Sequence, residues 1–267
     1  MITDLESNHG WPMDEYMPAW KTFRKESDEN KATADFLLGR NSWPKKDEMR
    51  ICDIGCADGQ LLETLLRSKS FHAKVTEATL IDPHQELLAK AVTDISRNSK
   101  VKKVTALASK IEDVWPRCAE GVDVVLAVHV VYLLSEKELQ RLVFRRPDNS
   151  TLYVVLDAPD SVFTELWAET APKYHDMVLK AHELLRRESG IDNTSTQNRI
   201  RARLPRRLLR GHDLSNWLLS ILCYTNMLCK ENIDRWGSLV QSILDKHVDS
   251  TGQFIECTSV CYELVGP

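Results

Sequence analysis

No C-x-x-C pair occurs anywhere in the 267 residues, and the seven cysteines are scattered at 52, 56, 118, 223, 229, 257 and 261. The number is odd and the spacing irregular, so neither a disulfide framework nor a zinc ribbon is supported. No metal site is expected. Cys52 and Cys56 are separated by the turn at Gly55, whereas Cys257 and Cys261 fall on one face of an alternating segment, where a small apolar side chain packs well. Reduced, structural cysteines are the expectation. An excess of one charge is also missing: 35 Lys and Arg against 39 Asp and Glu leave a net charge of −4. That supplies no global basic field to recruit nucleic acid, and there is no acidic tail. Nor is there an apolar run long enough to span a bilayer. The longest, VVLAVHVVYLL, is interrupted by His129 and reads as a buried strand running into a loop. The opening MITDLESNHG is acidic and polar, so a secretory signal is not expected and a cytoplasmic protein without membrane contact is. Internal repeats and low-complexity tracts are absent.

What is present is ordinary globular composition, 43% hydrophobic and 28% charged, over a length that suits one α/β domain spanning 1–267. Within 47–158 strand and helix signals alternate at short intervals. ICDIG is an apolar run ending in Gly, and GQLLETLLRS sets leucines at 61, 62, 65 and 66 on one helical face. VTEATLID and QELLAKAVTDISR repeat the pair. VKKVTALAS, the short helical IEDVWPRCA, VDVVLAV, SEKELQRLVF and STLYVVLDA complete five strands. Strands this apolar, separated by helices, indicate a parallel sheet covered on both faces with right-handed crossovers. A helical preface fills 1–46. Beyond 159 come one long helical stretch over about 161–188, the segment NRIRARLP, two more helices and an alternating closing strand, GQFIECTSVCYELVG.

The stretch RICDIGCADG follows a strand and precedes a leucine-faced helix, the setting a nucleotide-binding glycine loop requires. Gly55 and Gly59 permit a tight turn and close backbone approach to a ligand. The second strand ends in Asp82, and an acid there can accept both hydroxyls of a ribose. Dinucleotide loops need G-x-G-x-x-G so that backbone can approach a pyrophosphate. Here the spacing is D-x-G-x-x-x-G, and the acids Asp53 and Asp58 favour a cationic ligand over a pyrophosphate. S-adenosylmethionine, with its sulfonium and ammonium, is such a ligand.

RICDIGCADGQLL, TLIDPHQELL, SKIEDVWP and VDVVLAVHVVYLL resemble, in order and spacing, the successive motifs of the class I S-adenosylmethionine-dependent methyltransferases over about residues 48–158. The resemblance implies a seven-stranded Rossmann-like α/β sheet, mostly parallel with an antiparallel C-terminal strand, helices on both faces and an N-terminal helical cap. NRIRARLP and the closing segment would supply the antiparallel pair. It also implies S-adenosyl-L-methionine as cofactor. Asp53, Gly55, Cys56, Ala57 and Gly59 would then line the methionine moiety, Ala57 standing where the family has a glycine. Asp82 and Pro83 would hold the ribose, Ser109, Lys110 and Ile111 would flank the adenine, and Ala127, Val128 and His129 would sit beneath the sulfonium. The segments after the core loosely resemble small-molecule methyltransferases of the histamine N-methyltransferase type, which suggests a small-molecule acceptor.

For the remaining candidates two readings stand side by side. His129 is a general base or substrate-orienting group, or a hydrogen-bonded histidine at a strand end. Tyr132 lines the pocket or packs beside it. Tyr16 and Trp20 share a helix stripe with Phe23 that is either core or a cover for the cofactor. Trp167 and Asp157, at and beyond the fifth strand, bind the acceptor or belong to the interior. The fourth strand ends in Ala-Val-His without an acid, which argues against the metal site of catechol methyltransferases. Six arginines lie between Arg199 and Arg210. Arg199, Arg201 and Arg203 share one face of a strand, either solvated or facing an anionic acceptor such as RNA. Rival readings are an RNA or protein methyltransferase docking through that stretch, and a non-catalytic S-adenosylmethionine-binding partner subunit.

Overall fold

The computed structural model describes residues 13–191, 196–209, 213–224, 227 and 230–266, with side chains omitted at 13–17 and 213–217. Among the described residues seven strands form one sheet: β1 (Glu48–Ile54), β2 (Lys74–Ile81), β3 (Val104–Leu107), β4 (Val124–Val128), β5 (Thr151–Asp157), β6 (Arg199–Pro205) and β7 (Phe254–Val265). Their order is β3-β2-β1-β4-β5-β7-β6. β1 pairs in parallel with β2 and β4, β2 with β3, and β4 with β5. The last two strands add the antiparallel element. The fold expected from the sequence is the fold observed.

The helices follow from local chemistry. In α3 (Gln60–Arg67) Leu61, Leu62, Leu65 and Leu66 are all buried, so the leucine face is the core face. α4 (Gln85–Ser96) starts from His84, whose Nδ1 accepts the Leu87 N–H at 3.4 Å. α5 (Ile111–Val114) is a single turn. α6 (Glu136–Phe144) opens with a capping box in which Ser135 and Glu138 satisfy each other's backbone N–H groups.

Two of the expected helical stretches divide into pairs. The helical preface is two helices, α1 (Met13–Glu26) and α2 (Glu29–Gly39). The break at 27–28 serves the edge strand: Asp28 N–H donates to the Arg203 carbonyl at 3.2 Å, and the Asp28 carboxylate accepts the Arg203 N–H at 2.5 Å. An exposed strand edge is thereby covered. The stretch at 161–188 is also two helices, α7 (Val162–Thr170) and α8 (Pro172–Ser189). Ala171 leaves helical geometry at φ −146°, ψ 61°, because Pro172 lacks an N–H and pushes its predecessor out of the α region. The remaining helices are α9 (Asp213–Cys223) and α10 (Lys230–Lys246).

Two compact units divide the chain: one holds Asn30–Leu156, Lys180–Ile200 and Val260–Pro267, the other Met1–Glu29, Asp157–Leu179 and Arg201–Ser259. The first is built on β1, β2 and β4, with Met49, Ile51, Leu62, Leu65, Val75, Leu80, Val124 and Leu126 in one apolar cluster. Trp43 closes it, stacked on Tyr153 with ring centroids 5.6 Å apart. In the second unit, Phe23 meets Phe163 edge-on at 5.7 Å, and Phe163 continues to Trp167 at 5.8 Å and Trp167 to Tyr224 at 5.7 Å.

Glu77 on β2 ties three strands at once. It accepts from Arg50 of β1 at 3.0 Å, Lys103 at 2.7 Å and Thr105 of β3 at 2.7 Å. Lys103, with help from Thr105 and Arg50, lowers its pKa from 4.5 to about 2. A carboxylate with a depressed folded pKa contributes stability that is complete above its unfolded value and is lost as pH falls through the folded one. Glu77→Gln is therefore expected to lose about 1–2 kcal/mol at neutral pH, its exposed partners being screened. The loss shrinks as pH falls from about 4.5 towards about 2. Urea midpoints at pH 7 and pH 3 check this; an equal loss at both removes the network's role.

Candidate functional site

Successive strands step outward from β1 through β2 to β3, then resume on its other side with β4 and β5. Ligands in such sheets bind at the carboxyl ends of the strands where this reversal occurs, here between β1 and β4. The end of β1 runs into Gly55-Cys56-Ala57-Asp58-Gly59. Gly55 (φ 66°), Ala57 (φ 47°) and Gly59 (φ 77°) are all left-handed. Alternating left-handed residues fold the loop back on β2, where Gly55 and Cys56 donate N–H to the Ile81 carbonyl at 2.8 and 3.2 Å. Gly59 then caps α3. A Cβ on Gly55 would lie 2.5 Å from Val130 Cγ2, and one on Gly59 would lie 2.9 Å from Ala91 Cβ. The glycines thus answer first to protein packing, against the loop after β4 and against α4.

Asp82, just past β2, locks the loop in place. One oxygen accepts the Ala57 N–H at 2.9 Å and the other the His84 N–H at 2.8 Å. Burial raises its pKa, outweighing those two hydrogen bonds. Asp53, two residues before Gly55, is buried as well. Asp58 pairs with Lys90 of α4, whose Nζ lies 3.2 Å from its Oδ2. Its other oxygen, Oδ1, is buried without a hydrogen-bond partner among the described residues, so the Lys90 pairing occupies only half of the carboxylate. Cys56 sits among these acids, and burial, then Asp53 and Asp82, push its thiol well above the usual range.

At the end of β4, Ala127 is fully buried and Val128 is half-buried. His129 follows with φ 53°, its N–H bonded to the Val155 carbonyl of β5 at 2.8 Å and its Nε2 shielded from solvent. A positive φ at a non-glycine residue costs about 1–3 kcal/mol and concentrates at functional positions.

A model of the family described as "Methyltransferase domain" matches residues 45–204, more than half of the chain. The chain belongs to this methyltransferase family. The resemblance to class I S-adenosylmethionine-dependent enzymes read from the motifs is borne out. Among solved structures, the YcgJ protein from Bacillus subtilis is 12% identical, covers 89% of this chain and 99% of its own, and superposes with a TM-score of 0.53. The plantazolicin methyltransferase BpumL, solved with SAH, is 17% identical over 91% of this chain and 89% of its own, at a TM-score of 0.45. The methyltransferase domain of bacterial CtHen1-C is 15% identical over 90% of this chain and 99% of its own, at 0.42. At these identities the likeness speaks for the fold alone. No curated protein sequence matches.

In this methyltransferase the candidates from Asp53 to Gly59 meet Asp82 through the Ala57 hydrogen bond. Pro83 follows directly. Ser109 comes near by way of Leu107, whose carbonyl accepts N–H from both Asp82 at 3.3 Å and Ser109 at 2.9 Å. Lys110 and Ile111 start α5, and Lys110 pairs with Glu112 at 4.0 Å. Tyr132 is half-buried in the turn after His129. The other acceptor candidates belong to the second unit. Trp20 is half-buried under the Arg24 guanidinium, 5.4 Å from its ring centre. Trp167 is buried and donates its indole N–H to the Leu222 carbonyl at 2.9 Å. Asp157 is buried at the end of β5. The Tyr16 side chain lies outside the described residues. Among the described residues no group of three His, Cys, Asp or Glu could hold a metal, and no helix is long and apolar enough to cross a membrane. Sequence reasoning missed Val130, which faces Gly55, and Lys90, which lies five residues into α4. Their only signal is tertiary.

Proposed function

We propose that this methyltransferase moves a methyl group from S-adenosylmethionine to a nitrogen or oxygen of a small-molecule acceptor. The observation that carries the reading is the left-handed loop after β1 held against the end of β2 by Asp82, beside His129 at the sheet's switch point. The residues fit this donor. Asp53 and Asp82 are two buried carboxylates suited to a cation and to ribose hydroxyls. A carboxylate offers about four acceptor positions, so Asp82 keeps about two after binding Ala57 and His84. When bound, S-adenosylmethionine supplies a methyl group activated by its sulfonium.

The chain's work is orientation, water exclusion and proton management. Asp82 fixes the loop and accepts ribose hydroxyls. Ala127 and Val128 offer apolar side chains at the end of β4, and His129 takes the proton from the acceptor nucleophile, directly or through water. Arginines of β6 and of the turn after it favour the small-molecule reading over RNA: Arg201 pairs with Glu256 at 3.6 Å and Arg206 with Asp245 at 2.5 Å. A screen with methyl-labelled donor against a metabolite extract and an RNA pool, run side by side, tests this. Label appearing only in RNA, with steep salt dependence, overturns it.

His129→Asn is the cleaner test of the base, because asparagine tolerates the left-handed backbone at φ 53°. Turnover is expected to fall about 100- to 10,000-fold with donor affinity nearly unchanged. Full turnover across the neutral pH range removes the base role.

A further inference from the structure

We infer that the Asp58–Lys90 pair sets how strongly the glycine loop prefers cationic S-adenosylmethionine over its demethylated product, Asp58 supplying the preference and Lys90 limiting it. The inference rests on S-adenosylmethionine as donor and is independent of the acceptor. Asp58 stands between two fixed neighbours. Before it, Asp82 holds the Ala57 N–H at 2.9 Å. After it, Gly59 packs so tightly on α4 that a Cβ there would lie 2.9 Å from Ala91 Cβ. Lys90 precedes Ala91, so the same stretch of helix that seats the loop also brings the ammonium to the carboxylate.

The pair is uneven. Lys90 Nζ lies 3.2 Å from Asp58 Oδ2 and 3.0 Å from Asp94 Oδ2, so one ammonium is shared between two carboxylates. Asp94 has a second cation, Arg97 at 3.8 Å. Asp58 Oδ1 is shielded from solvent and has no hydrogen-bond partner among the described residues. Exposure differs as well: the Asp58 side chain is 4% exposed and that of Lys90 49%. Water screens the lysine charge well and the carboxylate much less. Burial works against the charge on Lys90, but Asp94 and Asp58 outweigh it and raise its pKa, so it stays cationic at neutral pH. What remains is a partly compensated negative charge inside the loop.

Methyl transfer removes the sulfonium charge and leaves a neutral thioether in a molecule of nearly the same shape. A negative loop therefore holds the donor more tightly than the product, S-adenosylhomocysteine, and favours exchange of one for the other. Deleting the carboxylate and deleting the ammonium must move that preference in opposite directions. A pair that only packs the loop against α4 would weaken both ligands together.

The test is calorimetric titration of the full chain with S-adenosylmethionine and with S-adenosylhomocysteine, in one low-salt buffer, read as the ratio of the two dissociation constants. A loss of stability cancels in that ratio, because an unfolded fraction weakens both ligands alike. Asp58→Asn should cut the preference for the donor about 3- to 30-fold relative to the parent. Lys90→Gln should raise it about 2- to 5-fold, the smaller effect reflecting the solvent-screened lysine. Lys90→Arg keeps the charge and should leave the ratio at the parent value. Both ligands bound by Asp58→Asn with a ratio within about two-fold of the parent overturns this inference alone, as do shifts of the same sign in Asp58→Asn and Lys90→Gln. A parent protein that binds neither ligand overturns the donor assignment and this inference with it.

Discussion

Gly55→Ala is expected to lower affinity for S-adenosylmethionine by at least about 100-fold and to destabilise the protein by about 2–4 kcal/mol. Two costs add. At φ 66° an L-residue pays about 1–2 kcal/mol for the left-handed backbone. The new Cβ would also sit 2.5 Å from Val130 Cγ2 and 2.9 Å from Val130 Cβ, separations that no packed carbon pair sustains. Either Val130 or the loop must move. Val130 immediately follows His129, and the loop carries the Ala57 N–H that Asp82 holds at 2.9 Å, so either movement disturbs the cradle. Calorimetric titration with S-adenosylmethionine and urea midpoints measure the two effects separately. Adding Val130→Ala removes the Cγ2 clash and should recover part of the overpacking loss. It should not recover the backbone cost. Parent-like donor binding by Gly55→Ala alone would show that the loop is not the donor cradle.

The parallel core was open to reading because its buried strands are near-continuous apolar runs and α3, α4 and α6 carry leucine or alanine on their buried faces. Arg199–Pro205 was readable from the opposite pattern: its alternation of arginines with Ile200, Ala202 and Leu204 matches their burial. The breaks at 27–28 and at Ala171 were harder. Pro172 is a local signal that hydrophobic periodicity over 161–188 outweighed, whereas the first break depends on Arg203, far along the chain. In the site, the loop and Asp82 were legible because strand, turn and helix fix them locally. The pairing of Asp58 with Lys90 was hidden for a different reason. Lys90 lies 32 residues on, and only the packing of α4 beside the loop brings it to 3.2 Å.

Asp82→Ala separates the anchoring of the loop from recognition of the donor. Two backbone donors, from Ala57 and His84, lose their acceptor, and each buried unsatisfied group costs about 1–3 kcal/mol. Some of that is returned, because a carboxylate whose pKa burial has raised is itself disfavoured in the folded protein. Net destabilisation of about 1–3 kcal/mol is expected. Donor affinity should fall further, by about 100- to 10,000-fold, since on the proposed reading the ribose hydroxyls lose two hydrogen bonds to a charged acceptor. Asp82→Asn keeps one acceptor oxygen and should fall between Ala and the parent. The pH dependence has a definite sign. With the folded pKa raised above the ordinary value of 3.8, the native state binds more protons than the unfolded one between those two values. Parent stability must therefore decline as pH rises through that window, relative to Asp82→Asn, which has no carboxyl to titrate. Urea midpoints for both proteins across the window give the slope directly, and bound donor should flatten it by offering the carboxylate hydroxyl partners. Donor affinity in Asp82→Ala within about two-fold of the parent would leave Asp82 as a loop anchor alone, because a factor of two is less than the smallest contribution of one charged hydrogen bond.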